Sequence, residues 1–256
     1  MVELTVGGVP VATYVVDPDL DIRLGPRPYL HPVRTLGGVV VTDALCFDHP
    51  WHLGASLTMP DVNGANLWGG RSYVRDAGYV WRDDHGRITH EEWRPAADGL
   101  AERLCWRDGA GEVLLTERRR IGAHPDPRGW RLSFGYRLTA PPDQDVTLGS
   151  PASNGRTGGA GYGGFFWRAG PGPVSADTSN GSAAPRVELS VGGAYTLVFE
   201  GLAGDDRWFV RAGEYAGVCA ALAFDKPLTI PAGGTLSRDL SVLIADGVLP
   251  AEDTAG

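Results

Sequence analysis

The sequence predicts an all-β protein, a single large antiparallel β-sandwich spanning residues 1–256. Three observations carry that expectation. Trp130-Arg131-Leu132-Ser133-Phe134-Gly135-Tyr136-Arg137-Leu138 alternates apolar and polar residues without a break, the period of a strand with one buried and one wet face. Similar segments recur along the chain, separated by clusters of Gly, Asp and Pro that supply the backbone angles of tight turns. With 37 Gly and 19 Pro in 256 residues, long helices have little room.

In order, strands are expected at Val11–Val16, Gly38–Thr42, Arg71–Trp81, Gly86–Trp93, Leu100–Trp106 and Val113–Ile121. After Trp130–Leu138 they continue at Arg186–Val191, Tyr195–Glu200, Arg207–Arg211 and Ser237–Ile244. Turns are expected at Arg107–Gly111, His124–Gly129 and Pro231–Gly234. Glu214–Leu222 is Ala-rich and helix-compatible, but Gly213 and Gly217 weaken a helix and β-like segments flank it, so a strand is expected. Gly170–Pro185 reads as one long surface loop, and the chain from about residue 249 as a loose tail. No Pro/Ser linker divides the chain, and no internal repeat is evident.

At 43% hydrophobic the chain can bury a large core without staples. A net charge of −8 offers no basic field to draw nucleic acid or an anionic membrane, and Lys226 is the only lysine. Cys46, Cys105 and Cys219 are far apart and in no CxxC spacing, so they read as small buried hydrophobes in a reducing cytosol. No apolar run approaches the ~18 residues of a membrane span, and Met1-Val2-Glu3-Leu4 lacks the basic head of a signal peptide. A cytoplasmic location is expected; the oligomeric state is left open.

The chemistry concentrates in Asp48-His49-Pro50-Trp51-His52-Leu53-Gly54 and Asp61-Val62-Asn63-Gly64-Ala65-Asn66-Leu67-Trp68-Gly69-Gly70. Imidazole titrates nearest neutral pH, while indole faces and amides suit the C–H faces and hydroxyls of a sugar. In a strand, His49 and His52 would point to opposite faces. In a turn, which Pro50 favours, both converge on one pocket, as an acid/base pair or as substrate ligands. The alternative is a pair of structural histidines at a strand end. As rim residues they would carry little folding energy. His31, between Leu30 and Pro32, is either a third imidazole for the pocket or a packed, satisfied one. Three imidazoles and a carboxylate also admit a divalent metal, although the spacing matches no metal motif; no other cofactor is indicated.

Arg34 is a candidate clamp for a carboxylate or enolate oxygen, and Asp48 for orienting a histidine tautomer; equally, the two brace loops against each other. Asn63 and Trp68 lie on a Gly-rich turn, where Trp68 is either a sugar platform or a core residue. Asn154–Gly164 is glycine-rich but lacks the Lys-Ser/Thr of a phosphate-binding loop; it reads as a lid or a plain connection that carries Arg156 and Tyr162. Glu91, Glu92 and Glu214 are candidate general bases. The first two are adjacent in a strand, so only one can face a pocket, and Glu214 is close enough to Arg211 to share one.

Arg27-Pro28-Tyr29-Leu30-His31-Pro32-Val33-Arg34-Thr35, Asp48–Gly54, Asp61-Val62-Asn63-Gly64, Gly161–Arg168 and Trp208-Phe209-Val210-Arg211 resemble the blocks of the soluble bacterial PmoA-like family. The resemblance runs from about Arg27 to Gly247. It implies a distant relation to the galactose-mutarotase β-supersandwich and an association with sugar metabolism; Leu240–Gly247 resembles that fold's last strand. It does not imply methane oxidation, which belongs to a membrane-embedded enzyme. His31 stands where the family commonly has an aromatic residue, and Trp51 where it has a further histidine, which removes a potential metal ligand. The expected function is proton-transfer chemistry on a free or keto-sugar: mutarotation, epimerisation or β-elimination. The alternatives are a sugar-binding module serving a separate oxidoreductase, and a metal-dependent lyase or hydrolase.

Overall fold

The computed structural model describes residues 1–250, so the expected tail lies outside the described residues from 251 onward. The strands are β1 (Val2–Val6), β2 (Val9–Val15), β3 (Tyr29–Val33), β4 (Ala55–Thr58), β5 (Asp61–Val62), β6 (Ser72–Val74) and β7 (Gly78–Val80). They continue as β8 (Arg87–Trp93), β9 (Leu100–Arg107), β10 (Val113–Asp126), β11 (Gly129–Thr139), β12 (Val146–Gly149) and β13 (Gly164–Arg168). The last are β14 (Val174–Ala176), β15 (Arg186–Val191), β16 (Tyr195–Glu200), β17 (Arg207–Ala212), β18 (Ala216–Ala221), β19 (Leu228–Ile230) and β20 (Thr235–Asp246). A single 3₁₀ turn, Ile22–Leu24, is the only helical element among the described residues.

The protein is an all-β sandwich. One sheet has seven strands in the order β1-β2-β3-β4-β13-β18-β17, and the other eight in the order β14-β15-β16-β20-β11-β10-β9-β8. The ladders of both are antiparallel. In β11 the predicted alternation is realised: Trp130, Leu132, Phe134, Tyr136 and Leu138 are buried, while Arg131, Ser133 and Arg137 are not. Phe134 meets Phe165 of the opposite sheet at 4.5 Å between ring centres, and Phe199 meets Trp167 at 5.8 Å. One continuous apolar cluster joins the two sheets. Indole N–H groups in it are satisfied: Trp167 donates to the Val41 carbonyl and Trp208 to that of Ala184. The three cysteines are free and buried.

Four local expectations are corrected. Gly38–Thr42 forms isolated bridges rather than a strand, because Val41 N–H bonds back to Val33 and residues 35–38 close a tight turn. Arg71–Trp81 is a hairpin of two short strands, β6 and β7. The turn expected at His124–Gly129 shrinks to Pro127-Arg128, because β10 continues to Asp126, paired with Gly129. The loop expected at Gly170–Pro185 contains β14, which adds a short edge strand beside β15.

The core also encloses charge. Arg119 and Glu117 on β10 are fully buried and doubly bonded, with Nε to Oε1 at 2.7 Å and Nη2 to Oε2 at 3.0 Å. Trp106 donates to Glu117 at 2.7 Å, Arg119 donates to the Tyr14 hydroxyl at 2.8 Å, and Tyr14 donates to Glu102. His90 completes the chain at Glu102, 2.7 Å away. Burial alone would push the Arg119 guanidinium down. The Glu117 carboxylate and its neighbours outweigh it and hold it above its ordinary value.

Candidate functional site

Period-two geometry places a second layer on the far side of the seven-stranded sheet. Ser56 of β4, Phe166 of β13, Cys219 of β18 and Phe209 of β17 stand opposite one another across the ladders, so they share one face. Their sequence neighbours Phe165, Trp167, Ala220 and Trp208 belong to the main core. Phe166, Phe209 and Cys219 instead form a smaller cluster with Trp68, against which Trp51, Tyr162 and Tyr215 pack. The centre of this sheet is thus covered on both faces.

Two loops are tied over that floor. Residues 49–52 close a turn, with His52 N–H donating to the His49 carbonyl at 2.9 Å. The fully buried Arg27 anchors both loops to the sheet. It donates to the Trp51 carbonyl at 3.0 Å, the Trp68 carbonyl at 3.1 Å and Ser56 Oγ at 3.0 Å. Burial, with Arg119 adding to it, lowers its guanidinium to about 9. The Trp51 indole lies directly on Gly70, where a Cβ would come within 2.6 Å of the ring and φ is +71°. Only glycine meets both demands.

The turn brings the two imidazoles together. His49 and His52 stack at 4.7 Å between centres, with their planes 13° apart. His49 Nδ1–H donates to Asp48 Oδ2 at 2.8 Å, which leaves Nε2 as the free, basic nitrogen. Arg168 Nη2 holds the same carboxylate at 3.1 and 3.0 Å, while its Nη1 donates to His52 Nδ1 at 3.2 Å. A guanidinium can only donate, so the ring proton of neutral His52 sits on Nε2. His52 is packed against Phe166, Trp68 and Tyr215. Burial, His49 and Arg168 together hold it well below the ordinary imidazole value. Burial pushes Asp48 up, but the bonds from His49 and Arg168 prevail and hold it at about 2.

These groups open onto a cleft of about 520 Å³. Trp51, Trp68, Tyr162 and Tyr215 form aromatic walls, and Arg156, Arg211 and Glu214 line its remaining sides. Arg156 donates to the Tyr79 hydroxyl at 2.5 Å, and Tyr79 bonds the Tyr162 hydroxyl at 2.9 Å. Of the site residues expected from sequence, His49, His52, Asp48, Trp68, Arg156, Tyr162, Arg211 and Glu214 all line this cleft.

His31, Arg34 and Asn63 do not line it. His31 is half-buried on β3, bonded through Nδ1 to Thr42 Oγ1 at 3.0 Å. Arg34 bonds the Gly38 carbonyl at 3.4 Å and makes no pair with Asp48, whose guanidinium partner is Arg168. Asn63 takes a left-handed turn, φ 50°, and its amide is spent bridging Asp145 and Thr147. Glu91 and Glu92 are also elsewhere. A bulge in β8 turns them both toward β9, where they pair with Arg107 at 3.3 Å and Arg103 at 2.7 Å. Among the described residues no three His, Cys, Asp or Glu side chains are gathered as a metal ion requires.

The sequence reading missed Arg27, Arg168, Tyr79 and Tyr215 as site residues. Arg168 carried a signal, a lone charge closing the apolar run Gly164-Phe165-Phe166-Trp167.

The buried His52 gives stability a pH dependence. Its imidazole is depressed in the folded state, so below the ordinary value of 6.5 the unfolded chain binds the extra proton. Stability is complete above that pH. It is expected to fall as the pH drops below it, by up to about 1.4 kcal/mol per pH unit. Asp48 adds a loss of the same sign lower down, between 3.8 and about 2. Urea midpoints at pH 7.5 and 5.5 for wild type and His52→Asn check this; equal slopes in the two proteins would exclude His52 as the source.

No helix of the described residues is long and apolar enough to cross a membrane. No curated protein matches the sequence. A family model matches residues 1–256, and by it the chain belongs to DUF6807, a family of unknown function.

Proposed function

We propose that the cleft is the active site of a proton-transfer enzyme acting on a free or keto-sugar. The observation that carries this reading is the Arg168–Asp48–His49 relay opening into an aromatic-walled cleft. Asp48 fixes the His49 tautomer so that Nε2 presents a lone pair, the arrangement of a general base. His49 removes a proton from carbon beside a carbonyl, or from the anomeric hydroxyl. The oxygen that gains negative charge is met by N–H donors, His52 Nε2–H or a guanidinium. The proton returns to carbon in epimerisation, to the ring oxygen in mutarotation, or to the departing oxygen in β-elimination. Trp51 and Tyr162 supply the flat faces a pyranose stacks on, while Trp68, only 3% exposed, is a core residue beneath them. The sequence resemblance to the PmoA-like and mutarotase-like proteins supports a sugar as substrate. Three free, buried cysteines support a reducing, cytoplasmic setting.

The experiment is a proton NMR survey in D₂O of aldoses and keto-glycosides with the intact protein. Loss of a C–H signal beside a carbonyl, or accelerated anomer interconversion, is expected for at least one class. Saturation transfer to sugar protons with no exchange in any class would leave a sugar-binding module instead. Neither binding nor exchange would sink the sugar reading.

A further inference from the structure

The charges of the cleft do not balance, although the protein as a whole is acidic at −8. Asp48 is already paired with Arg168 and hydrogen-bonded by His49. Of the remaining charged groups, Arg71, Arg156 and Arg211 face one carboxylate, Glu214. None of the three arginines forms an ion pair among the described residues, and neither does Glu214. Each guanidinium rests on an aromatic ring: Arg156 on Tyr79 at 4.7 Å, Arg211 on Phe209 at 4.2 Å and Arg71 on Trp81 at 5.9 Å.

A guanidinium on a ring has its planar face covered and donates from its edge: Arg156 Nη1 bonds the Tyr79 hydroxyl and Arg211 Nη1 the Val210 carbonyl at 3.1 Å, which leaves further N–H groups of each for a ligand. Arg156 and Arg211 are half-buried, and Arg211 Nη2 reaches Gly159 O at 3.5 Å, in the glycine-rich loop that carries Arg156. Two half-buried cations thus line the same cleft as the stacked histidines. Such a pair, with no acidic partner of its own, calls for an anion from the ligand.

Resting on the sugar reading above, we infer that the ligand is an anionic sugar, with its acid group held by Arg156 and Arg211 and its reacting carbon presented to His49. Arg71, exposed at the rim, adds to the field that draws the anion in. Glu214 opposes this field and disfavours a second acid group on the ligand. The acid group is a carboxylate or a phosphate, which share the bidentate fit to a guanidinium.

The test is calorimetric titration of wild type, Arg156→Gln and Arg211→Gln with three sets of probes: neutral hexoses, the matching hexuronates and the matching hexose 6-phosphates. At least one acidic set is expected to bind wild type about 10–100-fold more tightly than its neutral parent, a preference that falls with added salt. The set that does so identifies carboxylate or phosphate. Each variant is expected to lose most of that preference, read as the ratio of acidic to neutral affinity within the same protein. Equal affinity of neutral and acidic sugars for wild type would overturn the inference and leave the sugar site standing. A preference unchanged in both variants would overturn the assignment to Arg156 and Arg211. If no probe of any set binds, the sugar reading falls and this inference with it. The wild-type comparison needs no variant, so a misfolded substitution cannot obscure the outcome.

Discussion

His49→Ala is expected to lose about 10²–10⁴-fold of turnover on the true substrate while remaining folded, the usual contribution of a positioned general base. The imidazole is partly exposed at the cleft, with its side chain 30% accessible, so its removal leaves no sealed cavity. Asp48→Asn keeps the shape but can no longer accept from Nδ1–H with a full charge, and should lower turnover too. His52 behaves differently. It is only 2% exposed and wedged among aromatic rings, which corrects the expectation of two rim histidines with little folding energy. His52→Ala should lose turnover and also about 1–3 kcal/mol of stability, as a core truncation does. His52→Gln, which keeps an N–H donor, separates the two losses. The measurement is a steady-state rate beside a thermal melt for each variant. A folded His49→Ala protein with wild-type turnover would remove His49 from the mechanism.

Arg119→Met should be the most damaging single change to the fold. It leaves Glu117 buried without its cation, and breaking a buried pair from one side typically costs about 3–5 kcal/mol. For a chain of this length that corresponds to roughly 6–20 °C in Tm, at about 2–4 °C per kcal/mol. The neighbouring Arg118 is the internal control. It is exposed on the other face of β10, so Arg118→Met should change stability by less than about 0.5 kcal/mol. Equilibrium urea denaturation of both variants decides it. Equal, small losses would mean that the buried network contributes little.

Much of the sandwich was legible because its signal is local. β15 and β16 span the same residues the alternation marks, and β11 extends it by one residue at each end. β11 and β15 each have one wetter face, and a period of two records that directly, whereas in β16 every residue but Glu200 is buried. β4 and β13 carry no such record. Ala55-Ser56-Leu57-Thr58 and Gly164–Arg168 are buried at every position, because the sheet centre is covered by the main core on one side and the aromatic layer on the other. Gly164–Trp167 has no polar residue to alternate, and in β4 the alternating Ser56 and Thr58 mark no wet face, because both are buried.

The site divides in the same way. His49 and His52 were legible as a pair because Pro50 favours a turn and the chain itself closes it, over residues 49–52. The glycine-rich loop likewise identified Arg156 and Tyr162. By itself, then, the sequence determined the fold class, the turn that stacks the imidazoles and the aromatic and charged residue types of the cleft. Tertiary structure alone decided that Asp48 takes Arg168 rather than Arg34, that His31 faces Thr42 and that Arg27 ties both loops down. Those choices follow from the order β3-β4-β13-β18-β17, which joins segments as remote as residues 55–58 and 164–168. Strand order is set by which buried faces fit together across long loops, and no short stretch of chain encodes that.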